Sequence, residues 1–262
     1  MGLPMARALL DAGFEVCGFD VKPVSAFGDF SPHMIESAEE FAARSDIVIS
    51  VVRDYNESRD LFFRRQGIFT GDERPADCVI CSTLATDQLS RLREELDDGI
   101  RVMDAPMSGA PVAAEQRSLT FMVGGDEADF QRHRPLFEAM GRRIQYLGEF
   151  GAGMKIKLLN NYVCAAGVVA VRRALNAAEK LNIGPQQLLN IMADSSGNTW
   201  YGENFQRISW AREGYDGGNT LGILEKDVMC AIQGMNVGGV APSELDAIIL
   251  DQLRNATPME FE

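Results

Sequence analysis

The chain has 262 residues, 46% of them hydrophobic and 24% charged, with a formal net charge of −13. This is the composition of a globular protein of one large or two ordinary domains, and its acidity excludes the basic footprint that nucleic-acid binding requires. No run of about 18 or more uncharged apolar residues offers a membrane span, and no basic leader with an apolar run opens the chain, so a cytoplasmic location is expected. The five cysteines are odd in number, which fits reduced thiols rather than a disulfide framework. Cys78 and Cys81 form a lone CxxC within an expected strand, where residues three apart face opposite ways. The two histidines, His33 and His133, lie far from any cysteine cluster, so no metal site and no Ser-His-Asp triad is expected.

In chain order, residues 3–12 read as a helix stopped by Gly13. Residues 14–20 read as a short strand ending in Asp20. Ser37 and Glu40 have capping-box spacing for a helix to Arg44. Residues 46–52 and 77–83 are nearly continuous apolar runs, the pattern of buried parallel strands. Helices are expected at 56–65 and 86–97, a strand at 101–105, and a loop from Pro106 to Pro111. A strand at 119–125, a helix at 127–140 and a strand at 144–147 follow. Beyond residue 153 the pattern is helical: one long apolar helix to 181, then helices near 185–193, 200–212, 222–238 and 242–255.

Strand alternates with helix over residues 1–149, which predicts a doubly wound parallel sheet. Residues 150–262 form an all-α domain. An acid ending a strand roughly 20 residues after a glycine turn is the dinucleotide pattern of the Rossmann-type fold. Asp20 stands in that relation to Gly2. The strand and first glycines of that turn have no counterpart ahead of Gly2, and weakened cofactor binding is the expected consequence.

The stretch Gly151-Ala152-Gly153-Met154-Lys155-Ile156-Lys157-Leu158-Leu159-Asn160-Asn161 opens the long helix. Lys157 and Asn161 are four apart and share a helical face. An ammonium beside an amide at the head of an apolar helix is read either as a proton donor with its orienting partner or as a solvated helix start.

Five stretches together resemble the β-hydroxyacid dehydrogenase family, which includes 3-hydroxyisobutyrate, tartronate semialdehyde, L-threonate and, more distantly, 6-phosphogluconate enzymes. Met1-Gly2-Leu3-Pro4-Met5-Ala6 is similar to the end of its glycine turn. Asp104-Ala105-Pro106-Met107-Ser108-Gly109 is similar to its substrate motif D-A-P-V-S-G-G, and residues 151–161 to its catalytic motif G-x-G-x-x-x-K-x-x-N-N. Leu224-Glu225-Lys226-Asp227 resembles its K-D motif, and Ser195-Ser196-Gly197-Asn198-Thr199-Trp200 its S-S-G-x-x-W turn. Ala110 and Arg117 depart from the family, standing where glycines are usual.

The resemblance implies NAD as cofactor, in preference to NADP, with Asp20 on the ribose. Met1, Gly2, Val52, Thr83 and Lys226 are the other implied cofactor contacts. Ser108 and Gly109 are implied to bind the substrate carboxylate and Asn160 to help orient the substrate. Lys157 becomes the general acid/base, with Asn161 as its catalytic partner. A lysine serves there if burial lowers its pKa from about 10.4 toward working pH. The expected activity is NAD-dependent dehydrogenation of a small β-hydroxyacid such as 3-hydroxyisobutyrate. Alternatives are a reductase of tartronate, succinic or glyoxylic semialdehyde, an L-threonate-type dehydrogenase, or a non-catalytic binding protein on the same fold. The apolar stripe of the long helix points to a homodimer or homotetramer. Trp200 and Tyr201 either line the substrate mouth or pack.

Overall fold

The computed structural model describes residues 1–260. The chain folds as two units, Met1–Lys157 and Leu158–Glu262.

The first unit begins with α1 (Gly2–Asp11), followed by a 3₁₀ segment (Val24–His33) and α2 (Ala38–Ala43). Then come β1 (Ile47–Ser50), α3 (Tyr55–Phe63), β2 (Asp77–Ile80), α4 (Thr86–Glu95) and β3 (Arg101–Asp104). The unit continues with β4 (Met107–Ser108), α5 (Ala110–Glu115), β5 (Leu119–Val123), α6 (Glu127–Met140) and β6 (Gly141–Tyr146). Strands β1, β2 and β3 are parallel neighbours in that order. The middle strand β2 is buried along its whole length, which is why its sequence is a continuous apolar run rather than an alternating one. Burial pushes the thiols of Cys78 and Cys81 well above the usual range, and both are free. At the amino ends of β2 and β3, Asp77 and Arg101 stand opposite each other in register and pair through two bonds of 2.6 and 2.7 Å.

The second half of this unit departs from an all-parallel sheet. Within the expected Pro106–Pro111 loop, Met107 and Ser108 form β4, antiparallel to β5, while β5 and β6 run parallel. An isolated bridge between Asp104 and Gly124 links β3 to the residue after β5. The expected strand at 14–20 is corrected more sharply. A strand exists through its ladder, and among the described residues only Gly18 of this segment has a bridge partner, Met34. Helix starts follow local capping: Ser37 accepts the Glu40 N–H and Asp54 accepts the Glu57 N–H.

Helix α7 (Ala152–Lys180) starts in the first unit and runs through the second. The second unit adds α8 (Pro185–Ala193), α9 (Trp200–Glu203), α10 (Thr220–Val237) and α11 (Glu244–Arg254). Its core gathers Val168, Val171 and Leu175 of α7 with Leu221, Leu224 and Val228 of α10 and Ile249 and Leu253 of α11. The three- and four-residue spacing of these positions is the apolar stripe of a packed helix. By length and composition α7 is the one described helix that could cross a membrane. Its stripe nevertheless lies inside this core, and Arg172 is buried in it, reaching the Ala211 and Thr257 carbonyls at 2.8 and 2.6 Å. The helix expected over 200–212 ends at Glu203. The Ala211 carbonyl there is taken by Arg172 and by the Tyr201 hydroxyl at 2.6 Å, bonds that hold the segment as an irregular turn over the buried Trp210.

Candidate active site

Of the expected cofactor residues of the first unit, Gly2, Val52 and Thr83 gather at one end of its sheet. Val52 follows β1 and Thr83 follows β2, so both lie just past the carboxyl ends of adjacent parallel strands, the edge where such sheets bind ligands. The two strand ends are tied together: the Val52 N–H donates to the buried Ser82 hydroxyl at 3.0 Å. The start of α1 meets the same edge, since a Cβ on Gly2 would stand 3.7 Å from that of Val51. The turn from Met1 into α1 therefore presents unpaired helix N–H groups beside β1, an arrangement suited to a phosphate. Asp20 is exposed and accepts the Lys22 N–H at 2.9 Å, an Asx turn that leaves its carboxylate facing solvent. A dinucleotide fits this edge.

Ser108 lies in β4 and Gly109 caps α5. Gly109 has φ +138°, and a Cβ there would run into Ala113. Glycine is therefore required, and the chain turns at once from β4 into α5. The next residue, Ala110, has φ +58°, and Arg117 at the far end of α5 has φ +53°. These are the two positions where glycine was expected, and both hold the left-handed backbone that explains the expectation. Arg117 also pairs with Asp11 on α1.

Lys157 is buried, 7% exposed, in the second turn of α7. One turn further, Asn161 is equally buried, at 8%. Its amide is fixed on both sides: Nδ2 donates to Asp227 Oδ2 at 2.5 Å, and Oδ1 accepts from Asn160 Nδ2 at 3.2 Å. Asp227, on α10 and 2% exposed, also meets Lys226 Nζ at 2.8 Å. That second contact is an ion pair rather than an aligned hydrogen bond. Asn160, Asn161, Lys226 and Asp227 thus form one polar cluster. Lys155 is exposed. Tyr201 belongs to packing: it is buried and stacks on Trp210 with ring centres 5.5 Å apart. Trp200 is 42% exposed.

Two residues in this region escaped the sequence reading as participants. Asp227 was visible only as half of a K-D pair, and its bond to Asn161 spans 66 positions. Asp104 was visible only as the first letter of a motif. Among the described residues no group of His, Cys, Asp and Glu is arranged to hold a metal ion.

Residues 1–148 match the family model described as the NAD-binding domain of 6-phosphogluconate dehydrogenase. Residues 151–253 match that described as the NAD-binding domain of NADP-dependent 3-hydroxyisobutyrate dehydrogenase. A probable 3-hydroxyisobutyrate dehydrogenase of Mycobacterium tuberculosis is 34% identical over 204 residues, covering 76% of this chain and 68% of its own. The 3-hydroxyisobutyrate dehydrogenase of Pseudomonas aeruginosa is 30% identical over 243 residues, covering 88% and 81%. A solved structure of the M. tuberculosis 3-hydroxyisobutyrate dehydrogenase with L-serine superimposes with a TM-score of 0.75 at 28% identity, over 96% of this chain and 88% of that one.

Proposed function

The chain belongs to the β-hydroxyacid dehydrogenase family, and on that premise we propose that it is an NAD-dependent dehydrogenase of a short 3-hydroxyacid with Lys157 as general acid/base. The observation that carries this reading is a buried lysine one helical turn ahead of an asparagine whose amide is locked by Asp227. NAD, when bound, supplies the hydride acceptor. The remaining work falls to this chain's own residues. In oxidation Lys157 Nζ takes the proton of the substrate hydroxyl; in the reverse direction it returns that proton to the carbonyl oxygen. The Ser108 hydroxyl and the Gly109 N–H hold the carboxylate, which fixes which face of the reacting carbon is presented. Asn161, held from behind by Asp227, orients the substrate oxygen with Asn160.

Met1, Gly2, Val52 and Thr83 line the cofactor edge in this reading, and the resemblance of residues 224–227 to the family's K-D motif supports Lys226 as a further cofactor residue. Asp20 favours NAD over NADP, because a carboxylate accepts from a ribose hydroxyl and repels a 2′-phosphate. L-serine, named with the M. tuberculosis structure, is itself a 3-hydroxy carboxylate, which supports a short substrate of that class. A semialdehyde reductase would use the same atoms in the reverse direction. The exposed Leu159 and Val163 of α7 support assembly into a homodimer or homotetramer, and a cytoplasmic location fits the chemistry. The test is a panel of 3-hydroxyisobutyrate, L-serine, L-threonate and the semialdehydes with NAD(H) and NADP(H), followed at the NADH absorbance. Turnover of one short 3-hydroxyacid with NAD is expected. Absence of turnover with every substrate would favour a non-catalytic binding protein.

A further inference from the structure

Asp104 ends β3, and its side chain reaches the first turn of α7. Its Oδ1 accepts the Gly151 N–H and its Oδ2 the Met154 N–H, each at 2.6 Å. The first N–H groups of a helix have no partner within the helix and are ordinarily capped by a residue just ahead of it. Here the cap comes from a β-strand 47 to 50 positions away. Glycines make room for it. A Cβ on Gly153 would run into the Met122 carbonyl and stand 2.9 Å from Asp104 Oδ2. A Cβ on Gly124 would collide with Asp104 Oδ1 and stand 2.7 Å from the Glu149 carbonyl. Gly151 turns the chain at φ +90°. The G-x-G of this stretch therefore does more than form a loop: it lets the helix start press against the sheet around one carboxylate.

Lys157 follows Met154 by three residues, so its direction is set by the turn that Asp104 holds. We propose that Asp104 is a positioning residue for Lys157, fixing the height and rotation of the helical turn that carries it. The proposal rests on the reading of Lys157 as the proton-transfer group. An ionised carboxylate suits the role because both oxygens accept, whereas an asparagine would turn an amide donor toward one of the two N–H groups. Burial pushes the Asp104 carboxyl up to about 6, against the pull of the two N–H donors and of Lys155. The Cys81 thiol after β2 is the other titratable group that feels this carboxylate.

The test uses the full chain and two readouts, amide hydrogen exchange over residues 151–157 and steady-state kinetics. In Asp104→Asn, exchange over 151–157 is expected to rise at least about tenfold while β2 stays protected. The kcat is expected to fall by about 10²-fold, the scale of an ångström's misplacement, with the KM for NAD nearly unchanged. In the unaltered protein, protection of 151–157, corrected for intrinsic exchange, should strengthen as pH falls through about 6, because opening the turn solvates the carboxylate and returns it toward its ordinary range; this arm needs no variant to fold. Unchanged exchange overturns the clamp. Raised exchange with kcat within twofold overturns the link to Lys157. A Lys157→Ala protein that keeps turnover refutes the reading of Lys157 instead, and leaves the exchange result to judge the clamp by itself.

Discussion

Replacing Ala110 by glycine should stabilise the protein. Ala110 has φ +58°, a left-handed conformation that costs an L-residue about 1–2 kcal/mol. Glycine removes that cost but brings back about 0.4–1 kcal/mol of unfolded-state entropy. The net gain is about 0.5–1 kcal/mol, which for a chain of this size raises the melting temperature by roughly 1–4 °C. Arg117→Gly at φ +53° has the same backbone gain. It gives up an ion pair with Asp11 whose side chains are 48% and 57% exposed, and such pairs contribute about 0.2–1 kcal/mol, so its net effect should lie near zero. Urea denaturation followed by circular dichroism separates the two variants. An Ala110→Gly protein less stable than its parent would refute the strain argument at this position.

The pH dependence of stability gives a second expectation. Asp104 has a folded pKa of about 6 against an ordinary 3.8, so between those values the folded state binds the more protons. Its contribution to stability is therefore greatest below about pH 4 and declines as pH rises to about 6, by about 3 kcal/mol over some two pKa units. The stability of the parent minus that of Asp104→Asn should fall across this window, and a flat difference in denaturation series from pH 4 to 7 would contradict the burial of that charge. Asp227→Ala leaves the Asn161 amide and Lys226 without their shared carboxylate. A loss of about 1–3 kcal/mol is expected for a buried hydrogen bond to a charged group, measured by the same denaturation assay.

The legible parts of the molecule were those written in local periodicity. The continuous apolar runs gave β1 and β2, the three- and four-residue spacing gave α7 and α10, and Asp54 and Ser37 sit at the helix starts they cap. Residues 14–20 have strand composition, yet a ladder needs a neighbour and only Gly18 has one. The helix expected to reach residue 212 ends at Glu203, and beyond it the Ala211 carbonyl is bonded by Arg172 and Tyr201, contacts that no local pattern carries. The site divides the same way. Spacing places Lys157 and Asn161 on one helical face and leaves open whether they are a proton donor with its partner or a solvated helix start, whereas Asp104 meets the helix start and Asp227 meets Asn161 from far along the chain. These contacts are tertiary and carry no local sequence signal.

The central claim is that Lys157 transfers the proton that accompanies hydride transfer. The most direct measurement compares the unaltered protein with Lys157→Ala and with Lys155→Ala, in NAD-linked turnover of the best short 3-hydroxyacid and in NADH binding. Lys157→Ala should lose turnover by at least about 10²-fold, the lower range for a general acid/base, while binding NADH as its parent does; Lys155→Ala, altered at an exposed neighbour, should keep both. Undiminished turnover in Lys157→Ala would contradict the account.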